Sequence, residues 1–153
     1  MKLKTRLATA GDLDAVTVLF GAYLEFYECP AEAEDIRRYL EARTARGESV
    51  VHVAEVEGGD GPIGFTQCYP NWSSLDLAPM WVLEDLYVAV EARRNGAAVA
   101  LLEATVQAAR DAGACRVALE TQHTNAPAIA LYERTGFNRE AEFATYEVVL
   151  GSE

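Results

Sequence analysis

One stretch constrains the fold of this chain more than any other: Glu84–Leu102, reading EDLYVAVEARRNGAAVALL. An apolar strand pattern ends at Val88–Val90. Arg93, Arg94, Asn95 and Gly96 follow, and a helical pattern begins at once. A strand feeding a helix through a short cationic turn gathers free backbone N–H groups, the positive end of a helix dipole and two guanidinium groups in one spot. Such a junction is suited to holding a phosphate. The Lys and Ser/Thr of an ATP-binding P-loop are absent, so this phosphate is expected to be a handle and not the reacting group.

The 153 residues, 50% of them hydrophobic, suit one domain with a sizeable core. The opening Met1-Lys2-Leu3-Lys4 leads into no continuous apolar run, and no later stretch is long enough to span a bilayer. The expectation is a soluble, cytoplasmic protein without a membrane partner. A net charge of -11 argues against nucleic acid. It permits a cationic small-molecule substrate, although solubility alone accounts for it equally well. Cys29, Cys68 and Cys115 form no CxxC pair, and His52 and His123 add no metal-ligand spacing, so no metal is expected. Cys115 lies in a strand-like run and reads as a small buried thiol.

Along the chain, Lys2–Leu7 alternates as a strand does. Thr9 or Asp12 can cap a helix running to about Tyr27, and Pro30 interrupts it. A second helix is expected over Ala31–Arg46 before Gly47. Val50–Val56 and Ile63–Tyr69 flank the turn Gly58-Gly59-Asp60-Gly61 and should form a hairpin. Asn71–Pro79 reads as a loop and Trp81–Val90 as the central strand. Further expectations are a helix over Gly96–Ala112, a strand over Arg116–Thr121, a short helix over Asn125–Thr135 and a last strand over Phe143–Leu150. Hairpins first and helix–strand alternation later predict a mixed α/β domain over residues 1–153 with a twisted, partly parallel central sheet flanked by helices.

Two segments carry a resemblance. Arg93-Arg94-Asn95-Gly96-Ala97-Ala98, between the strand LEDLYV and Leu101-Leu102, resembles the Q/R-x-x-G-x-G/A signature of the GNAT N-acetyltransferase superfamily. Asn125-Ala126-Pro127 through Leu131-Tyr132-Glu133 to Gly136-Phe137 is similar to that family's N…A…LYE…GF segment. The element order agrees with the same family. The resemblance implies an enzyme that transfers acetyl from acetyl-CoA to an amine, often as a homodimer. It also implies that Leu86, Tyr87 and Val88 bind the pantetheine arm like an added strand. Backbone N–H groups across Arg93, Arg94, Asn95, Gly96, Ala97 and Ala98 would hold the pyrophosphate, and Asn125 would contact the coenzyme while capping its own helix. Ala98 stands in place of Gly, Arg94 where Gly or Arg is usual, and Val90 where Pro is frequent.

The reaction needs a neutral amine, a stabilised oxyanion and a proton for the departing thiolate. Alkylamines have pKa values of about 10.4, so a base or a desolvating pocket must help at neutral pH. Tyr132 occupies the family's LY position and is the candidate acid; packing as a core aromatic is the competing role. Glu84 is the candidate base, with Asp85 as the runner-up. Strict alternation puts Val82, Glu84, Leu86 and Val88 on one face and Leu83, Asp85 and Tyr87 on the other. A solvated or arginine-paired carboxylate is the competing role for Glu84. LEDLYV is similar to the corresponding stretch of the diamine (polyamine) acetyltransferases, whose glutamate is proposed to act through water. The backbone N–H of Val88 is the oxyanion donor that the family implies.

The acceptor pocket is expected from Tyr23, Glu25, Phe26, Tyr27 and Glu28 on the first helix, with Tyr69, Asn71, Trp72, Ser73 and Ser74 of the following loop. Tyr23 and Tyr27, four residues apart, also fit an ordinary buried helix stripe. His123 reads as an incidental loop histidine. The function expected is acetyl transfer to a primary amine of a small molecule, with polyamines, amino acids and aminoglycosides among the acceptors. A non-catalytic acyl-CoA-binding or regulatory module, or an enzyme for protein and peptide amines, are the alternatives.

Overall fold

A computed structural model describes residues 2–151. The chain packs as two compact units, Met1–Glu120 and Thr121–Glu153.

The first unit is built on five strands in the order β1-β2-β3-β4-β5: β1 Leu3–Leu7, β2 Val50–Val56, β3 Pro62–Ser73, β4 Ala78–Val88 and β5 Val117–Ala118. The first four pair antiparallel, and β5 pairs parallel with β4 at Trp81 and Val82. Helices α1 (Leu13–Phe26) and α2 (Ala33–Ala45) cover one face. Their Val16, Phe20, Ile36 and Leu40 pack with Val53 and Phe65 of the sheet. Helix α3 (Ala97–Asp111) covers the other, with Ala97 and Leu101 against Ala54 and Val88. Both faces are therefore covered, as for the centre of an α/β sheet.

Local chemistry accounts for several boundaries. Asp12 accepts from the Thr9 N–H at 2.7 Å and from Arg6 Nη1 at 2.7 Å, tying the entry to α1 onto β1. Arg6 and the Thr9 N–H hold the Asp12 carboxyl down at about 2. At Gly64 the sheet permits no side chain: a Cβ would sit 2.9 Å from the Tyr87 carbonyl oxygen.

The structure departs from the sequence expectations in the β3–β4 region. The expected loop Asn71–Pro79 is mostly strand: β3 runs on to Ser73, and a tight turn over 74–77 returns the chain into β4. The alternating polar residues of that stretch fit an exposed hairpin end, where side chains meet water while the backbone still pairs. Arg116 joins Asp76 and Ser73 at this turn. Cys115, expected to be buried, is exposed, and the expected strand Arg116–Thr121 is reduced to Val117–Ala118.

The second unit holds α4 (Ala126–Arg134), capped by Asn125, whose Oδ1 accepts from the Ala128 N–H at 3.3 Å. The expected strand Phe143–Leu150 does not form. These residues have β-favouring side chains but are not assigned to a strand, and Tyr146, Val148, Val149 and Leu150 are exposed.

Candidate functional site

The face of the sheet beneath α1 and α2 holds the chemistry. Between β3 and β4 the register shifts: Gln67 faces Asp85, but Cys68 faces Leu83. Glu84 is therefore an extra residue, a β-bulge in β4. The bulge breaks the expected alternation. Asp85 and Tyr87 share a face with Phe65 and Gln67, and Glu84 is turned toward the same side, so both carboxylates line one cavity.

That cavity has a volume of about 390 Å³. Phe20 and Leu24 come from α1; Asp35, Ile36 and Tyr39 come from α2, with Ala31 just before it. Tyr69 of β3 and Glu84 and Asp85 of β4 complete it. Tyr39 and Tyr69 join their hydroxyls at 2.6 Å, linking α2 to the sheet beside the cavity. Among the described residues no Lys or Arg lines it.

Asp85 is 6% exposed. Its Oδ2 accepts from Gln67 Nε2 at 2.9 Å. Burial raises its pKa, the hydrogen bond from Gln67 and the nearby Tyr23 hydroxyl draw it back, and the charge of Glu84 adds to the rise. Tyr23 donates to the Glu84 carbonyl at 3.2 Å and lies beside Asp85. Burial first, then the Asp85 charge, push the Tyr23 hydroxyl upward, so it stays protonated and serves as a donor. Tyr69 is raised by burial and by its bond to Tyr39. Glu84 itself is exposed.

Among the expected acceptor residues, Tyr23 reaches this centre. Tyr27 packs edge-on against Tyr23 and does not line the cavity. Phe26 is 59% exposed, and Trp72, on the far arm of the β3–β4 hairpin, is 74% exposed. Sequence reasoning missed Gln67, Tyr39 and Ile36. A glutamine inside a strand covered on both faces is the signal that could have found Gln67, because a buried amide must find a partner.

The coenzyme side is built mainly from backbone. Because β5 pairs with β4 only at Trp81 and Val82, the β4 edge from Leu83 to Val88 carries no strand partner on that side among the described residues. An extended amide-bearing chain fits such an edge as an added strand does. Beyond it, Arg94 at φ 68° and Gly96 at φ 88° bend the chain into the start of α3. The first-turn N–H groups of α3 have no intrahelical partners. One of them, on Ala97, is bound by Asn95 Oδ1 at 3.2 Å. A pyrophosphate fits this positive, donor-rich cradle. Arg93 is folded back: its Nε donates to the Val88 carbonyl at 3.0 Å and its guanidinium lies over the Tyr87 ring.

In the second unit, Tyr132 lies on α4, half-buried, with its ring 5.9 Å from that of Phe137. His123 is exposed in the turn before α4. Among the described residues no helix is long and apolar enough to cross a membrane.

Comparison with known proteins agrees with this geometry. The model of the acetyltransferase (GNAT) family matches residues 16–137. An uncharacterized N-acetyltransferase of Bacillus subtilis, YhfO, is 38% identical over 144 residues, covering 94% of this chain and 95% of that protein. The crystal structure of a probable acetyltransferase superposes with a TM-score of 0.90 at 39% identity, covering 100% of both chains. An aminoglycoside acetyltransferase from an uncultured soil sample, solved with sisomicin, shares the fold at 20% identity and a TM-score of 0.78, covering 97% of each chain.

Proposed function

The chain belongs to the acetyltransferase (GNAT) family, and from that premise we propose that it transfers acetyl from acetyl-CoA directly to a primary amine of a small molecule. The carrying observation is the cavity: carboxylates from Asp35, Glu84 and Asp85, aromatic and aliphatic walls, and no cationic side chain. Such a lining favours a cation with an apolar body.

Bound acetyl-CoA supplies an acetyl thioester. Leu86, Tyr87 and Val88 hold the pantetheine arm along the β4 edge, and the backbone of Arg93–Ala98, with Asn125, holds the coenzyme. Glu84 takes a proton from the amine nitrogen, directly or through water. As an exposed group it can return that proton to solvent. The Val88 N–H steadies the carbonyl oxygen while negative charge builds there. The neutral amine nitrogen bonds to the thioester carbonyl carbon, the C–S bond breaks, and Tyr132 gives its hydroxyl proton to the departing sulfur and regains one from solvent. Tyr23 orders the Glu84–Asp85 segment by its bond to the Glu84 carbonyl. Tyr27 supports Tyr23, and Phe26 and Trp72 serve as outer contacts for longer acceptors.

The acceptor reading extends to diamines and polyamines. One ammonium would sit at Glu84 and Asp85, and a second would face Asp35 on α2. The working unit is read as one catalytic domain per chain, cytoplasmic and homodimeric, which light scattering on the purified protein checks. Thiol release from acetyl-CoA across an amine panel tests the activity. Amine-dependent release, faster with diamines than with amino acids, is the expected result. Tight coenzyme binding without release on any amine would leave only a binding module.

A further inference from the structure

The floor of the acceptor cavity holds a buried carboxylate with no cation beside it. Asp85 makes no ion pair among the described residues, and the cavity it lines has no Lys or Arg. Its fixed neighbour is Gln67, which is 0% exposed. The Gln67 amide spends its N–H on Asp85 Oδ2 at 2.9 Å, and its Oε1 is buried without a hydrogen-bond partner. A buried carboxyl without a cation beside it is costly in a folded core, and a ligand that brings positive charge and N–H groups, as a primary ammonium does, relieves it. Gln67, buried and outside the cavity lining, holds that carboxyl in place from behind.

Building on the amine-acceptor reading above, we propose that Asp85 is the ammonium subsite of this cavity and that Gln67 is its positioning residue. Asp85 receives the charge of the incoming amine. Gln67, buried behind it, fixes the orientation of that carboxylate through its 2.9 Å hydrogen bond. The bulge at Glu84 then separates two duties on adjacent residues: Asp85, buried, binds the ammonium, and Glu84, exposed, exchanges its proton. The subsite also sets specificity. An acceptor with a carboxylate next to its amine brings a second negative charge against Asp85 and Glu84, so α-amino acids are disfavoured relative to simple amines of the same length.

The test is calorimetric binding of n-hexylamine and 1-hexanol to the full chain without acetyl-CoA. These ligands have the same apolar body and differ in charge. Wild type is expected to bind the amine at least about tenfold more tightly, whereas Asp85→Asn should bind the two within about twofold. Gln67→Leu should weaken the amine about tenfold and leave the alcohol unchanged. In turnover, Asp85→Asn should raise KM for the amine and leave KM for acetyl-CoA unchanged. Equal binding of amine and alcohol by wild type overturns the proposal and needs no variant to fold. So does an Asp85→Asn protein that melts higher and still prefers the amine, since the pair would then be structural. Failure of wild type to release thiol with any amine would remove the transfer reading, while the binding comparison would still decide the subsite.

Discussion

The two ends of β4 offer different kinds of group to the ligands proposed for them. At its C-terminal end, Leu86–Val88 and the turn over Arg93–Ala98 offer mainly main-chain groups: an unpaired strand edge and the first turn of α3. At the bulge, the cavity offers side chains drawn from α1, α2, β3 and β4. Main-chain recognition suits a partner that never varies, because it tolerates most substitutions that keep the backbone path. Side-chain recognition suits a partner that differs from one enzyme to the next. The contrast teaches where specificity for the acceptor resides.

The sharpest test of the proposed chemistry is at Tyr132, the acid proposed from its motif. Tyr132→Phe should lower kcat by about a hundredfold or more, with acetyl-CoA affinity retained in a direct titration; unchanged turnover would remove the assignment. Next comes Glu84→Gln. It should lower kcat about tenfold to a hundredfold and flatten the rise of rate with pH, leaving KM for acetyl-CoA alone. An unaltered pH profile would take the base role from Glu84.

On the coenzyme side, Gly96→Val places a β-branched residue at φ 88°. It should raise KM for acetyl-CoA about tenfold, because the strained turn shifts the N–H groups of α3. KM for the amine should not change, and an equal rise in both would dissolve the distinction between the two ends.

The smallest effect lies away from both ends. His52 is buried, and burial lowers its pKa from 6.5. The folded state therefore binds this proton less readily than the unfolded chain. Its contribution is complete above pH 6.5 and is lost as pH falls below that value toward the folded pKa. The melting temperature should drop by about a few degrees across that window, and His52→Gln should reduce the drop. A rate profile corrected for this loss isolates the effect of Glu84.

The same contrast explains what was legible in the sequence. The turn Arg93–Ala98 and the helix start at Ala97 are contiguous, so their pattern could be read directly, and the mixed sheet followed from element order. Cavity residues such as Phe20, Ile36 and Tyr39, and Gln67 behind Asp85, are scattered over three elements, and no spacing rule joins them. Periodicity also failed at Glu84, because an inserted residue looks like ordinary alternation until the partner strand is known. Phe143–Leu150 shows the opposite error: β propensity was present, but propensity does not supply a neighbour to pair with.

The bulge at Glu84 has a consequence for how such a chain can change. Upstream and downstream of it, β4 runs in two phases offset by one residue against β3. The carboxylates proposed for the acceptor and the edge proposed for the coenzyme keep their relative orientation through that single added residue. Substitutions at positions 84 and 85 can therefore retune the amine accepted while the coenzyme edge stays in place. Loss or gain of one residue there would rotate one half of the strand against the other. Chain length at this point, more than side-chain identity, synchronises the two halves of the enzyme.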